Sequence, residues 1–320
     1  MKAVPTVSVL LTTYNREKYV AAAIGSVLSQ RFSDFELLIV DDQSTDATVA
    51  IAREYEKRDA RIRIVVNETN LGQFGNRNRA ASLARGMFLK YHDSDDLMYP
   101  HCLMTMVTLL AAEPLADFAL SNGWCWPGGP CPMLLTPRMC YQREFLGFGL
   151  FMCGPSGALF RAERFTALGG FPDRGVGSDY LFWLHACSQA NVLLVPGDLF
   201  WYRIHPQQEL QSETAAREYA ILLGEAWRAL HSPQCPLLPK ECEQAKRNLA
   251  YSLLKHTFRD VHSGRWEVAG LRLRTAALSW QEWLRYLRLP RRTTLAGTPL
   301  DVNGEYLIPA WSQPVLKVGE

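Results

Sequence analysis

The stretch VSVLLTTYNREKYVAAAIGSVLSQRFSDFELLIVDDQS, residues 7–44, decides the fold. Val7–Leu11 and Phe35–Val40 are largely apolar runs, each with a single polar residue (Ser8 and Glu36), the pattern of strands buried on both faces of a parallel sheet. Between them Val20, Ile24, Val27 and Leu28 recur at helical spacing over Tyr19–Gln30. Working outward, the alternation continues with a helix over Asp46–Lys57, a strand over Ile62–Val66, a helix over Asn76–Arg85 and a fourth strand over Met87–Tyr91. Parallel strands need crossover connections, so this order predicts an α/β fold with a Rossmann-like, doubly wound, mostly parallel sheet.

Downstream, helices are expected over Tyr99–Ala112, Glu163–Leu168 and Asp179–Ala190, and strands over Asp117–Ser121, Gly157–Arg161 and Asn191–Val195. Trp124–Cys140 is rich in Pro and Gly and is expected to be an irregular loop. From about Gln211 the texture changes to long helical patterns, such as Tyr219–Leu230 and Cys242–Phe258. The expected organisation is an α/β domain over 1–210, with halves meeting near 122/123, and a helical C-terminal region over 211–320. Trp266–Leu289, rich in Trp, Leu and Arg, reads as one packed amphipathic helix, with an interfacial membrane helix as the alternative.

With 48% hydrophobic and 21% charged residues, the 320-residue chain has enough apolar material to fold. A net charge of +2 supplies no field that would draw nucleic acid. The eight cysteines form no C-x-x-C pair, which argues against structural zinc and for free thiols in a reducing compartment. The N-terminus lacks a signal-peptide pattern, and apolar stretches such as Leu103–Ala112 fall short of the roughly 20 residues that span a bilayer. A cytoplasmic protein is expected, with peripheral membrane association through the Trp/Arg-rich helix as the further option.

Ligands of doubly wound sheets bind at the carboxyl ends of the strands. Those ends carry Thr12–Asn15, Asp41-Asp42 and His92-Asp93-Ser94-Asp95-Asp96. Carboxylates crowded as in Asp93, Asp95 and Asp96 repel one another unless a cation or hydrogen-bond donors compensate. Oxygen ligands of this kind suit Mg²⁺ or Mn²⁺, ions that complete their shells with substrate phosphates.

Taken in order, SVLLTTYNREKYVAAAIGSVLSQRFSDFELLIVDDQSTDAT (8–48) and NLGQFGNRNRAASLARGMFLKYHDSDD (70–96) resemble the nucleotide-binding half of family 2 glycosyltransferases with the GT-A fold. The resemblance extends over about Val7–Pro206. It implies that Thr12, Tyr14 and Asp42 hold the nucleotide base, that Asp93 lies near the ribose, and that Asp95 binds metal, with Asp96 able to replace either in another register. Arg77 matches a position near the nucleotide, a surface salt bridge being the plainer reading. Asp179 matches the catalytic base, although Ser and Asp also favour helix N-caps; Glu163 and Asp173 are the reserve candidates. Tyr202-Arg203-Ile204-His205-Pro206 resembles the family's closing element, in which the His completes the metal or diphosphate site.

The resemblance thus implies an inverting, Mn²⁺- or Mg²⁺-dependent enzyme that moves a sugar from a nucleotide-sugar donor, UDP-sugars first, to a hydroxyl acceptor. That acceptor would be a bacterial-type surface polysaccharide, a lipid-linked glycan or a glycoconjugate. The Q-x-x-R-W element of processive members is absent, so single-sugar transfer is expected. A nucleotidyltransferase is the first alternative, but it would need a Gly-rich basic loop where Thr12–Arg16 has no glycine. The second is a non-catalytic carbohydrate-binding relative, against which Asp95, Asp179 and His205 stand intact.

Overall fold

The computed structural model describes residues 4–121, 131–147, 149–205, 213–276 and 278–287. β1 (Val7–Thr13), β2 (Phe35–Asp41), β3 (Ile62–Val66) and β4 (Phe88–Asp93) pair in parallel in the order β3-β2-β1-β4. Their crossovers are α1 (Val20–Leu28), α2 (Thr48–Glu56) and α3 (Gly72–Leu83). The sheet continues with β8 (Ala158–Arg161), β6 (Phe118–Leu120), β9 (Val192–Leu194) and β7 (Met133–Leu135), giving eight strands. Here β8 is antiparallel to both its neighbours and β7 is antiparallel to β9, while β6 and β9 run parallel. A separate two-stranded ribbon joins β5 (Leu97–Met98) to β10 (Phe200–Trp201). This is the GT-A architecture, with a mostly parallel first half and a mixed second half.

β1 and β2 are mostly apolar because both faces are covered. Val7, Val9, Leu11, Leu37 and Ile39 point to one layer with α1 and α4 (Cys102–Ala112). Leu10, Leu38 and Val40 point to the other, with Phe74 of α3 and Trp183 of α7 (Ser178–Ala186). Polar residues enter the core only with partners. Ser8 Oγ donates to Glu36 Oε1 at 2.6 Å and accepts from the backbone amides of Arg85 and Gly86 at 3.0 and 2.8 Å. Gly86 is required there, since a Cβ would collide with the backbone of Val7 and Ser8.

Two expectations need correction. Within Trp124–Cys140, Met133–Leu135 is strand β7 and Pro137 opens α5 (Pro137–Leu146); residues 122–130 lie outside the described part. Pro137 follows the N-cap Thr136, a position where proline's fixed φ and missing N–H favour a helix start. Trp266–Leu289 is two helices, α10 (Trp266–Ala276) and α11 (Trp280–Leu287), with residues 288 and 289 outside the described part. Tyr286 is buried and Trp283 packs on the core, as the packed reading requires.

α8 (Glu213–His231) and α9 (Pro239–His262) share one core with the sheet, since Leu222, Trp227 and Leu249 cluster with Tyr141 and Trp183. Glu241 of α9 is clamped by Arg138 at 2.7 and 3.1 Å and by Gln142 at 2.6 Å, both from α5. No described helix is long and apolar enough to cross a membrane. The described cysteines carry free thiols.

Asp260, 2% exposed, joins α9 to α10 by accepting from Arg272 at 2.8 and 3.1 Å, and it also accepts from Arg265 at 2.8 Å. Asp260→Ala would leave the buried Arg272 guanidinium without its carboxylate, at a cost of about 3–5 kcal/mol. Urea denaturation should show that loss, and Asp260→Ala/Arg272→Leu should recover part of it.

Candidate active site

The carboxyl ends of β1, β2 and β4 open into a cavity of about 740 Å³, bounded on the far side by the start of α7 and by Tyr219 of α8. A second cavity of about 550 Å³, between α7 and α8, contains none of the strand-end residues. A space of the larger size suits a cofactor-sized ligand.

At one end, Thr12 sits between Val40 and Asp93 in the sheet register, and Tyr14 stands on the rim, 48% exposed. Asp42 is buried and rigidly held: Asn67 Nδ2 and the Leu71 amide both donate to its Oδ1 at 2.8 Å. Asn76 Nδ2 donates to Val40 O at 3.0 Å and its Oδ1 accepts from Asn67 at 3.0 Å, which braces the same corner. The adjacent Asp41 faces inward, accepting from Thr13 Oγ1 and Ser44 Oγ at 2.6 Å each. Asn15, Gln43 and Asp198 adopt positive φ of 51°, 67° and 57°, so the turns around the cavity hold strained backbone.

In the middle, Arg77 of α3 pairs with Asp93 at 2.6 Å. Arg77 is only 4% exposed, so the surface-salt-bridge reading does not hold; its Nε and Nη1 are buried with no hydrogen-bond partner and the side chain lines the cavity. Burial alone would raise the Asp93 carboxyl, but Arg77 outweighs it and holds the group below the usual carboxylate range. Asp95 Oδ2 lies 3.0 Å from His205 Nε2 and 3.2 Å from Arg16 Nε. The β5–β10 ribbon brings residues 200–205 alongside the acidic turn. There Arg203 donates from Nε to Asp95 O at 2.7 Å and from its amide to Asp96 Oδ1 at 3.0 Å. Asp96 is 1% exposed, and its Oδ2 has no partner. Burial, reinforced by the charges of Asp93 and Asp95, pushes its pKa up to about 8.

On the far wall, Asp179 lies in the first turn of α7, and Gly177, at φ 86°, occupies the N-cap. Asp179 is therefore not the cap; its Oδ1 accepts from the Tyr180 amide at 2.8 Å. Desolvation by burial pushes its carboxyl up, against smaller lowerings by the Tyr180 amide and then by Arg77. Neither Glu163 nor Asp173 lines the cavity.

Sequence reasoning passed over Lys90 and gave no role to His92 within the strand-end run; both are buried in β4 ahead of the acidic turn. Lys90 is fully buried, donating from Nζ to Tyr91 O at 2.9 Å and to Ser156 O. Burial lowers its pKa. His92 Nε2 lies 3.3 Å from Ser26 Oγ, and burial pushes the imidazole down to about 3. A signal existed: in FLKYHD the alternate positions 90 and 92 are polar inside an otherwise buried strand.

Among the described residues, no group of three or more His, Cys, Asp or Glu is arranged to hold a metal by itself. The donor set nevertheless fits Mn²⁺ or Mg²⁺, which need only one or two protein carboxylates, an imidazole being competent for Mn²⁺, with phosphate and water oxygens completing the shell. Asp95 and His205 would supply those protein ligands.

Residues 8–163 match the family model of Glycosyl transferase family 2. The chain carries a family 2 glycosyltransferase domain. A Campylobacter jejuni relative, a GalNAc(5)-diNAcBac-PP-undecaprenol beta-1,3-glucosyltransferase, is 25% identical over 69% of this chain and 72% of its own length. Other curated relatives are matched over only 34% to 40% of their lengths. Among solved structures, S. aureus TarS 1–349 in complex with UDP-GlcNAc superposes with a TM-score of 0.59 at 22% identity, covering 88% of this chain and 79% of that one. The mannosyltransferase PcManGT of Pyrobaculum calidifontis, in complex with GDP-Man and Mn²⁺, gives 0.53 at 19% identity over 89% and 86%. At these identities the likeness establishes the fold of the glycosyltransferase domain.

His92 ties the glycosyltransferase domain to pH. Its folded pKa lies below the unfolded value of about 6.5, so unfolding takes up a proton and stability falls as pH drops from about 6.5 toward 3. One proton corresponds to about 1.4 kcal/mol per pH unit at the steepest. Urea titrations at pH 7 and pH 5 should therefore show a larger acid loss for wild type than for His92→Gln.

Proposed function

We propose that the protein is an inverting glycosyltransferase that moves one sugar per cycle from a nucleotide-sugar donor, UDP-sugars first, to a hydroxyl of a glycan or lipid-linked acceptor. The observation that carries this reading is the cavity itself, with a fixed base acceptor, an Arg-supported acidic turn and the raised carboxyl of Asp179 on its successive walls. Tyr14 offers a flat face to the base, and Asp42, locked through Oδ1, presents a carboxylate to a ring N–H. Thr12 and Asp93 line the sugar-nucleoside path, and Arg77 adds buried N–H groups toward an anion.

A divalent cation bound by Asp95 and His205 would neutralise charge on the departing diphosphate. Asp179 accepts the acceptor's hydroxyl proton as that oxygen bonds the anomeric carbon from the side opposite the leaving group, which inverts the configuration. A carboxylate raised by burial suits this work, because a base operates best with its pKa nearer the working pH. Residues 1–210 would form the catalytic unit and 211–320 the helical support of its acceptor side, and any peripheral membrane contact would fall to the exposed Trp266, Leu273 and Leu284 of α10 and α11. The lipid-linked acceptor named for the C. jejuni relative, and the sugar nucleotides and Mn²⁺ named for the two structures, support this reading.

Donor affinity should depend on a divalent ion, since Arg77 and Arg16 are already taken up by Asp93 and Asp95 and a diphosphate adds further negative charge at the same turn. Calorimetry with UDP-, GDP- and dTDP-sugars, with Mn²⁺ and then with EDTA, tests this; equal affinity in both conditions refutes the metal assignment.

Asp179→Asn keeps an oxygen for the Tyr180 amide and so should leave the melting temperature and donor binding near wild type. Transfer should fall by about 10²- to 10⁴-fold. In wild type the acid limb of the kcat/KM profile should lie above the ordinary carboxylate range, because the base is active only when ionised. A stable, fully active Asp179→Asn protein would remove Asp179 from catalysis.

A further inference from the structure

The two sides of the cavity differ in charge. The cations that line it among the described residues are Arg16 and Arg77, and each is committed to the donor side, Arg16 at Asp95 and Arg77 at Asp93. Among the described residues the wall around Asp179 includes no Lys or Arg of its own; it is made by Tyr180, Tyr202, Tyr219, Phe151 and Met152, with Asp198 adding a second acid.

Tyr219 reaches this wall from the C-terminal region because α8 is seated directly on the loop that leads into α7. A Cβ on Gly175 would strike the Glu218 carboxylate, and one on Gly177 would strike Leu222. Tyr219, between those two contacts in sequence, is thereby fixed in the cavity, close enough to Asp179 and Tyr202 for their charges to raise its phenol above the usual range, burial being the larger cause.

We infer that the residue presenting the acceptor hydroxyl is a neutral sugar ring, lodged against Tyr219 beside Asp179, and that α8 thereby sets acceptor choice. An aromatic side chain gives the apolar C–H face of a pyranose a flat surface, while its hydroxyl can meet a sugar hydroxyl. An acceptor carrying a carboxylate or phosphate next to the attacking oxygen would meet Asp179 and Asp198, while Arg77, the described cation that acts on Asp179, is already paired with Asp93. This inference rests on the glycosyltransferase reading of the same cavity.

The test uses the full chain saturated with UDP and Mn²⁺, with octyl β-glucoside, octyl β-galactoside and octyl β-glucuronide as probes, read by saturation-transfer NMR. The neutral glycosides should bind and the glucuronide should bind about tenfold more weakly or not at all. Tyr219→Ala should lose neutral-glycoside affinity about tenfold while UDP affinity, measured by calorimetry, stays at the wild-type value; Tyr219→Phe, which keeps the ring, should restore most of the glycoside binding. Glucuronide binding equal to glucoside, an unchanged Tyr219→Ala, or no binding of either neutral glycoside overturns the inference. Loss of UDP binding by wild type would instead overturn the glycosyltransferase reading, so the two failures are distinguishable.

Discussion

The repulsion among Asp93, Asp95 and Asp96 at the end of β4 is the constraint around which the active side of this molecule is arranged. Carboxylates this close need charge or hydrogen bonds from elsewhere. α3 sends Arg77 to Asp93, the β1–α1 loop sends Arg16 to Asp95, and the segment after β10 sends Arg203 and His205 to Asp95 and Asp96. The ribbon of β5 and β10, two residues per strand, acts chiefly as the tether that brings this last segment to the turn. Burial and the charges of Asp93 and Asp95 push the Asp96 carboxyl up to about 8, the mark that this crowding leaves on the turn.

That arrangement explains which parts were legible beforehand. β1 and β2 declare themselves because burial on both faces leaves them largely apolar, and the carboxyl ends of β1, β2 and β4 lie beside Thr12, Asp42 and Asp93. The second half was harder. Its strands are three or four residues long, one lies antiparallel between β4 and β6, and Pro137 serves as a helix opener in a stretch that reads as loop. Lys90 was overlooked for a physical reason: its charge is met by the carbonyls of Tyr91 and Ser156, and the second of these comes from 66 residues away. The burial of Arg77 was equally hidden, because a helix of low overall hydrophobicity gives no sign that one arginine turns inward.

Asp179 illustrates a different limit. Ser178-Asp179 looks like a helix cap in sequence, yet Gly177 occupies the cap with a left-handed backbone that an L side chain rarely adopts. The same glycine is where α8 presses closest, since Leu222 fills the space a Cβ would need. One residue therefore satisfies both the local turn and the docking of a helix more than forty positions downstream.

This seating bears on how the chain divides its labour. The family match ends at residue 163, whereas Asp179 and Tyr219 lie beyond it and line the same cavity, and His205, also beyond it, reaches that cavity through Asp95. The donor corner is built within one run of strands and crossovers, so its parts are fixed by local sequence spacing. The opposite wall draws on α7, the β10 segment and α8, whose relative positions depend on packing through Leu222, Trp227 and the Glu241 clamp. Changes in the C-terminal helices can then alter the acceptor wall without disturbing Asp42 or Asp93, which are braced by Asn67, Leu71 and Arg77 on the far side of the cavity.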